Sequence, residues 1–187
     1  MNQTPLKETH PISFRPFSVK KDAACLLKWV NNPHAQYWGM LDATAEELIT
    51  TYTHLLSIPD YKVYIGEIQN EAAFLMESYN PKTDPIGQHY PVLEGDCGMH
   101  VLVKPPQHRI SGFTWHVFSS IMDFLFEQNH CKRIVVEPDV NNHKIHRLNK
   151  RAGFVYDKQV NLPDKKAFLA FCTYEAYQQS RAECSVY

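Results

Sequence analysis

The chain has 187 residues, 44% of them hydrophobic, with Lys+Arg 19 against Asp+Glu 20 and a formal net charge of -1. That size and apolar content suit one substantial core, and the balanced charge excludes a nucleic-acid or membrane partner held by bulk electrostatics. A charged ligand must instead be met by a local patch.

In chain order, residues 12–16 read as a short strand. Ser18 caps a helix in which Ala24, Leu26, Leu27 and Val30 recur at helical spacing, and Pro33 stops it. A second helix is expected over 44–57, with Thr44 as its cap, Glu46 and Glu47 in its first turn, and Leu48, Tyr52, Leu55 and Leu56 as its inner face. The runs YKVYIGEIQ and EAAFLMESY, separated by Asn70, predict an antiparallel hairpin. Residues 80–94, with three prolines, are expected to form a loop and the best-placed flexible lid.

A strand follows over 97–103, then a helix over 112–128 whose Phe113, Val117, Phe118, Ile121, Phe124 and Leu125 make one apolar stripe. RIVVEPDV reads as a strand, NHKIHRLNKRAG as a helix ended by Gly153, and 154–160 and 167–173 as the last strands. No repeat or linker interrupts this order. The expectation is one domain over 1–187, with a core of 10–175 and tails at 1–9 and 176–187.

Cys25, Cys97, Cys131, Cys172 and Cys184 are odd in number, scattered and never in a CxxC pair, which argues against a disulfide framework or a cysteine-based zinc site. A reducing cytosol fits that pattern. The first residues lack a secretory signal and no run reaches the ~18 apolar residues of a membrane span, so a cytoplasmic protein is expected. His143 and His146 lie three apart on a helix without a third ligand motif, so no metal is expected.

The stretch from 97 to 114 carries the clearest chemistry. A strand feeding a helix through a short loop leaves the first N–H groups of the helix unpaired at the positive end of its dipole, a cradle for phosphate. Gln107, His108 and Arg109 add donors, Ser111 a hydroxyl, and Gly112 and the small Thr114 permit close approach. Neither a Walker loop nor a dinucleotide fingerprint is present.

Arg109-x-x-Gly112-x-Thr114 resembles the Q/R-x-x-G-x-G/A pyrophosphate loop of the GNAT superfamily of acyl-CoA-dependent N-acyltransferases, with Thr114 where Gly or Ala is usual. FRPF, KWVNNPHAQYW, GDCGMHVLV, VVEPDVNNHKIHRLNKRAGF and AFCTYE together resemble the siderophore-biosynthesis acyltransferases that convert N-hydroxylated amines to hydroxamates. The resemblance covers roughly residues 14–175. It implies an α/β (α+β) fold of the GNAT type, a mixed central sheet splayed between two parallel strands with helices on both faces, the pair being 97–103 and RIVVEPDV.

The same resemblance implies the co-substrate and the site. Acyl-CoA, as succinyl-CoA or acetyl-CoA, would meet the backbone at Leu102 and Val103, the loop Gln107, His108, Arg109, Ile110, Ser111, Gly112, Phe113 and Thr114, and then Asn142, Asn149 and Lys150. The family pattern places the active pair on His100 and Asp139. Alternation puts Gly98, His100 and Leu102 on one face of their strand, Met99, Val101 and Val103 on the core-suited other, and Glu137 with Asp139 on one face of theirs. A histidine titrating near neutrality can accept the proton released by the attacking nitrogen, and a carboxylate can orient it or bind the N-hydroxyl. Asp139 is equally placed to cap the next helix. Cys97, three residues from His100, points to the opposite face and makes no thiol dyad.

Trp38, Glu94 and Glu137 are the residues expected to line the acceptor site, an acidic group meeting the distal ammonium of a diamine. The expected partner is a small N-hydroxylated diamine, N-hydroxycadaverine or N-hydroxyputrescine, or hydroxylysine, in iron acquisition; neither nucleic acid nor membrane is expected, and a homodimer is allowed. Two other readings stand beside this one: a GNAT acetyltransferase for an ordinary antibiotic or protein amine, and a non-catalytic acyl-CoA-binding module.

Overall fold

The computed structural model describes residues 11–106, 111–128 and 130–184. In chain order its elements are β1 (Ile12–Pro16), α1 (Val19–Val30), α2 (Ala45–Leu55), β2 (Lys62–Ile68), β3 (Glu71–Tyr79), β4 (Asp96–Val103), α3 (Phe113–Asp123), β5 (Arg133–Val136), α4 (His143–Arg151), β6 (Val155–Asn161), β7 (Lys166–Thr173) and α5 (Tyr174–Cys184). Among the described residues the strands make one mixed sheet in the order β1-β2-β3-β4-β5-β7-β6. The parallel pairs of β4 with β5 run from Asp96↔Arg133 to Gly98↔Val135. No helix among the described residues is long and apolar enough to cross a membrane.

Two compact units divide the chain, Met1–Ser78 with His100–Ser120 and Tyr79–Met99 with Ile121–Tyr187. In the first, α2 starts where expected because Thr44 and Glu47 cap each other: the Thr44 hydroxyl accepts from the Glu47 N–H at 3.2 Å, and the Glu47 carboxylate from the Thr44 N–H at 2.8 Å. Gln69 and Asn70 turn the β2–β3 hairpin with φ of 53° and 62°, the left-handed pair that a tight hairpin turn demands. Leu26, Trp29, Val30, Leu48, Tyr52, Val63, Ile65, Leu75 and Leu102 form one buried cluster. Leu56, expected on the inner face of α2, is 41% exposed because the helix has already ended. The buried Asp22 carboxylate takes both terminal nitrogens of Arg15 at 2.8 Å and the Ser18 N–H at 2.8 Å. Burial pushes its pKa up, but these donors outweigh burial and hold it below the usual carboxylate range.

In the second unit β7 pairs antiparallel with both β5 and β6. The α4 helix ends as its glycine predicts: Gly153 has φ of 90°, its N–H bonds the Lys150 carbonyl at 3.1 Å, and the Phe154 N–H bonds the Asn149 carbonyl at 3.0 Å. Residues 176–184, part of the expected tail, instead continue α5 to Cys184, anchored by the wholly buried Tyr177, whose hydroxyl donates to Asp123 at 3.0 Å. Residues 80–94 hold two 3-10 turns, Pro81–Thr83 and Pro85–Gln88, each capped by the side chain before it and pinned by the buried Pro81 and Ile86. The expected lid is thus an anchored segment.

The cysteine expectation is also corrected. Cys97 in β4 and Cys131 just before β5 form a disulfide with Cα atoms 5.8 Å apart. Their separation of 34 residues hides the pair from any local spacing rule, whereas the parallel register brings the two strand starts together.

Gly98 lies under the Tyr79 ring, and a Cβ there would fall inside the ring's carbon atoms. The ring cannot swing aside freely, because its hydroxyl donates to the buried Glu137 carboxylate at 2.9 Å. Gly98→Ala is therefore expected to destabilise the protein by about 1–3 kcal/mol, the range of core overpacking, read as a lowered midpoint in urea unfolding at unchanged slope.

Candidate active site

The placement of His100 follows from how β4 runs against β3. The Lys104 N–H donates to the Ala73 carbonyl at 2.9 Å, and His100 Nδ1 lies 3.0 Å from Glu77 Oε2. Residue numbers rise along β4 as they fall along β3, so the pairing is antiparallel and a two-residue step from Lys104–Ala73 sets His100 opposite Glu77. Leu102 comes opposite Leu75 by the same step, and both lie in the buried cluster. The core side of this stretch is therefore the face of Leu102. Val101 and Val103, expected in the core, are only half-buried.

Glu77 is 4% exposed and makes the centre of a polar cluster. The Tyr52 hydroxyl donates to its Oε1 at 2.9 Å and the Tyr61 hydroxyl to its Oε2 at 2.7 Å. Burial, and next the Glu77 charge, push the Tyr52 phenol far above its ordinary range, so it stays a neutral donor. Trp38 meets the His100 ring edge-on with centroids 6.3 Å apart, placing this expected acceptor-site residue beside the imidazole. His34 Nε2 lies 2.6 Å from the Val103 carbonyl.

Alternation along β4 also sorts the two backbone donors expected to face a thioester. Since the Lys104 N–H points to β3, the Leu102 N–H does too, and only Val103 turns its N–H to the other edge. At the start of α3, Gly112 has φ of 78° and its carbonyl accepts from the His116 N–H at 2.9 Å. A Cβ on Gly112 would meet open space, so the positive φ rather than crowding requires glycine here. Ser111 and Thr114 are exposed and Phe113 is half-buried. Gln107, His108, Arg109 and Ile110 lie outside the described residues.

The second unit holds the remaining expected residues. Asp139 Oδ1 accepts from the Asn141 N–H at 2.8 Å and its carbonyl from the Asn142 N–H at 3.0 Å, a turn that delivers the chain to α4. The cap of α4 is Asn142, whose side chain accepts from the Ile145 N–H at 3.4 Å. Glu137 is 4% exposed and, besides Tyr79, has Lys165 Nζ 3.4 Å away. The side chain of Glu94 is 94% exposed with Lys132 3.8 Å away. Lys150 Nζ lies 5.8 Å from the Tyr156 ring centroid.

Asn149 is buried, its amide nitrogen donating to the Tyr156 hydroxyl at 3.3 Å, while its Oδ1 is a buried acceptor with no hydrogen-bond partner among the described residues. An orphaned buried acceptor costs about 1–3 kcal/mol. A ligand amide N–H, of which a pantetheine arm carries two, would satisfy it. No group of three or more His, Cys, Asp or Glu side chains among the described residues could hold a metal ion.

Sequence reasoning missed Glu77, Tyr52 as a polar participant, Tyr61 and His34. A lone acid inside the apolar run EAAFLMESY was the available signal for Glu77.

The family model for an acetyltransferase (GNAT) domain matches residues 18–162. The N-hydroxyputrescine acetyltransferase of Acinetobacter baumannii is 24% identical over 168 residues, 89% of this chain and 80% of that protein. The N(6)-hydroxylysine O-acetyltransferase of Escherichia coli is 26% identical over 157 residues, 83% of this chain; the match spans 50% of that longer relative. Among solved structures, an uncharacterized protein from Bacillus halodurans superposes with a TM-score of 0.84 at 28% identity, covering 92% of this chain and 89% of that one. Aminoglycoside acetyltransferase AAC(6')-Ib in complex with coenzyme A gives a TM-score of 0.78 at 22% identity, covering 91% of this chain and 99% of that one, a likeness of fold alone. With the family model matching most of its length and the expected parallel pair of β4 and β5 in place, the chain belongs to the GNAT acetyltransferase family and is an acyl-CoA-dependent N-acyltransferase.

Proposed function

We propose that this protein forms hydroxamates, transferring acetyl or succinyl from coenzyme A to the hydroxylated nitrogen of N-hydroxyputrescine, N-hydroxycadaverine or a hydroxylysine. The observation that carries the reading is His100, a half-buried strand imidazole held by Glu77 at 3.0 Å beside Trp38. The choice of acceptor is supported by the names of the two curated relatives. The cytoplasm, where acyl-CoA thioesters are held, is the proposed compartment, and iron acquisition through a siderophore the proposed role.

In this reading the acyl-CoA runs along the edge of β4 that faces away from β3, where the Val103 N–H polarises the thioester carbonyl. Gln107, His108, Arg109 and Ile110 with Ser111, Gly112 and the first turn of α3 take the pyrophosphate, Asn149 Oδ1 accepts an amide N–H of the pantetheine, and Lys150 serves the phosphates. The nitrogen attacks the thioester directly. Its C–N bond forms as the C–S bond breaks, His100 accepts the nitrogen's proton, and the sulfur leaves as a thiolate that takes a proton to become free coenzyme A. Asp139 binds the N-hydroxyl group.

The acceptor's chemistry suits so modest a base. An ordinary primary amine, with a pKa near ~10.4, is protonated at neutral pH and must first lose a proton, whereas N-hydroxylation lowers the basicity and leaves free nucleophile. Thiol release is the direct test, with acetyl-CoA and succinyl-CoA each offered N-hydroxyputrescine, N-hydroxycadaverine, N-hydroxylysine, the parent amines and an aminoglycoside. We expect kcat/KM for the best hydroxylated amine to exceed its parent at least tenfold, a difference of about 1.4 kcal/mol. Turnover confined to parent amines or the aminoglycoside would overturn the acceptor assignment, and binding without turnover would make the chain an acyl-CoA-binding module.

A further inference from the structure

We infer that Glu77 is the positioning residue of the reaction: its carboxylate takes the Nδ1–H of His100, fixing the tautomer whose basic nitrogen is Nε2 and stabilising the imidazolium formed when the proton arrives. The inference rests on the base role proposed for His100, and it adds a residue that the active-site pattern of His100 and Asp139 does not contain.

The geometry leaves Glu77 well suited to this task. It stands directly across the strand pair from His100, so backbone pairing and not a flexible loop sets their 3.0 Å separation. At 4% exposure its carboxylate has little water, and its lone pairs are met by Tyr52 from α2, Tyr61 ahead of β2, and His100 from β4. A carboxylate offers only acceptors, so the imidazole nitrogen facing it must carry the hydrogen. Among the described residues Glu77 bonds the His100 ring and Trp38 meets it edge-on, while Tyr52 and Tyr61 reach the far side of the same carboxylate.

A purely structural role for Glu77 would be spent on holding Tyr52 and Tyr61, and it would not govern the imidazole's titration. The two phenols matter in the opposite sense to the acid. By donating into the carboxylate they draw off part of the charge that His100 feels.

The test follows the His100 imidazole by NMR titration in the full-length protein, alongside kcat/KM against pH. The neutral ring should show the Nδ1–H tautomer. Glu77→Gln keeps shape and removes charge; the titration midpoint and the acidic limb of kcat/KM should fall together by about one pH unit or more, the usual effect of an opposite charge at this distance. Tyr61→Phe should move both upward, and Glu77→Asp should return the midpoint toward wild type while kcat stays low because the shorter acid misaims the ring.

An unshifted midpoint in Glu77→Gln, or an Nε2–H tautomer in the wild-type protein, would overturn the inference. Should Glu77→Gln prove too unstable to titrate, the upward shift in Tyr61→Phe decides alone, and its absence overturns the inference. Wild-type turnover in His100→Ala would instead remove the base role, a failure the NMR midpoint does not share.

Discussion

His100→Ala is expected to lower kcat by about 10²-fold or more while leaving acyl-CoA affinity unchanged, the pattern of a lost general base. The imidazole is only half-buried, so its loss opens no closed core cavity. Glu77 keeps the Tyr52 and Tyr61 hydroxyls as donors, so the fold should survive. Steady-state kinetics at saturating acceptor gives kcat, and calorimetry with coenzyme A gives the affinity. Residual turnover should remain, since holding the nitrogen against the thioester is worth several kcal/mol, up to roughly 7–11 kcal/mol in the best-oriented cases. An unchanged kcat would remove His100 from the chemistry.

Arg133→Ala is expected to have the largest effect on stability, a loss of about 3–5 kcal/mol, because it strands a buried carboxylate. Asp96 has a side chain only 1% exposed, and Arg133 grips both its oxygens at 2.8 and 2.7 Å. The guanidinium also lies 4.5 Å from the Phe171 ring centroid and 5.6 Å from that of Tyr90, so truncation removes stacking as well as charge. For a chain of this size the loss corresponds to a fall in Tm of about 6–20 °C.

The pH dependence gives this second prediction its sign. Burial pushes the Asp96 pKa up, but Arg133 and then the Leu93 N–H outweigh burial and hold it below the usual carboxylate range. Its contribution to stability is therefore full above the unfolded-state carboxylate pKa and is lost as pH falls through the depressed value. Wild type should approach the variant in stability as the solution is acidified. A gap that widens toward low pH would contradict the pairing.

Much of the scaffold was legible because its signals are local. The Thr44 cap, the hairpin turn at Asn70, and the glycine that ends α4 each depend on residues within a few positions, and each stands where expected. The α5 helix escaped notice because its pattern is polar nearly throughout, with Tyr177 alone wholly buried among residues 174–183.

What the sequence determined by itself was the succession of strands and helices as far as β7, the family resemblance, and a strand histidine as the expected base. Tertiary structure decided the partners: Glu77 for His100, Cys131 for Cys97, Arg133 for Asp96, and a turn rather than a helix cap for Asp139. The physical reason is that helix and strand periodicity is written every two to four residues, whereas strand register is a long-range choice made by the whole core. Until β4 is laid against β3, no count along the chain can tell which acid will face the imidazole.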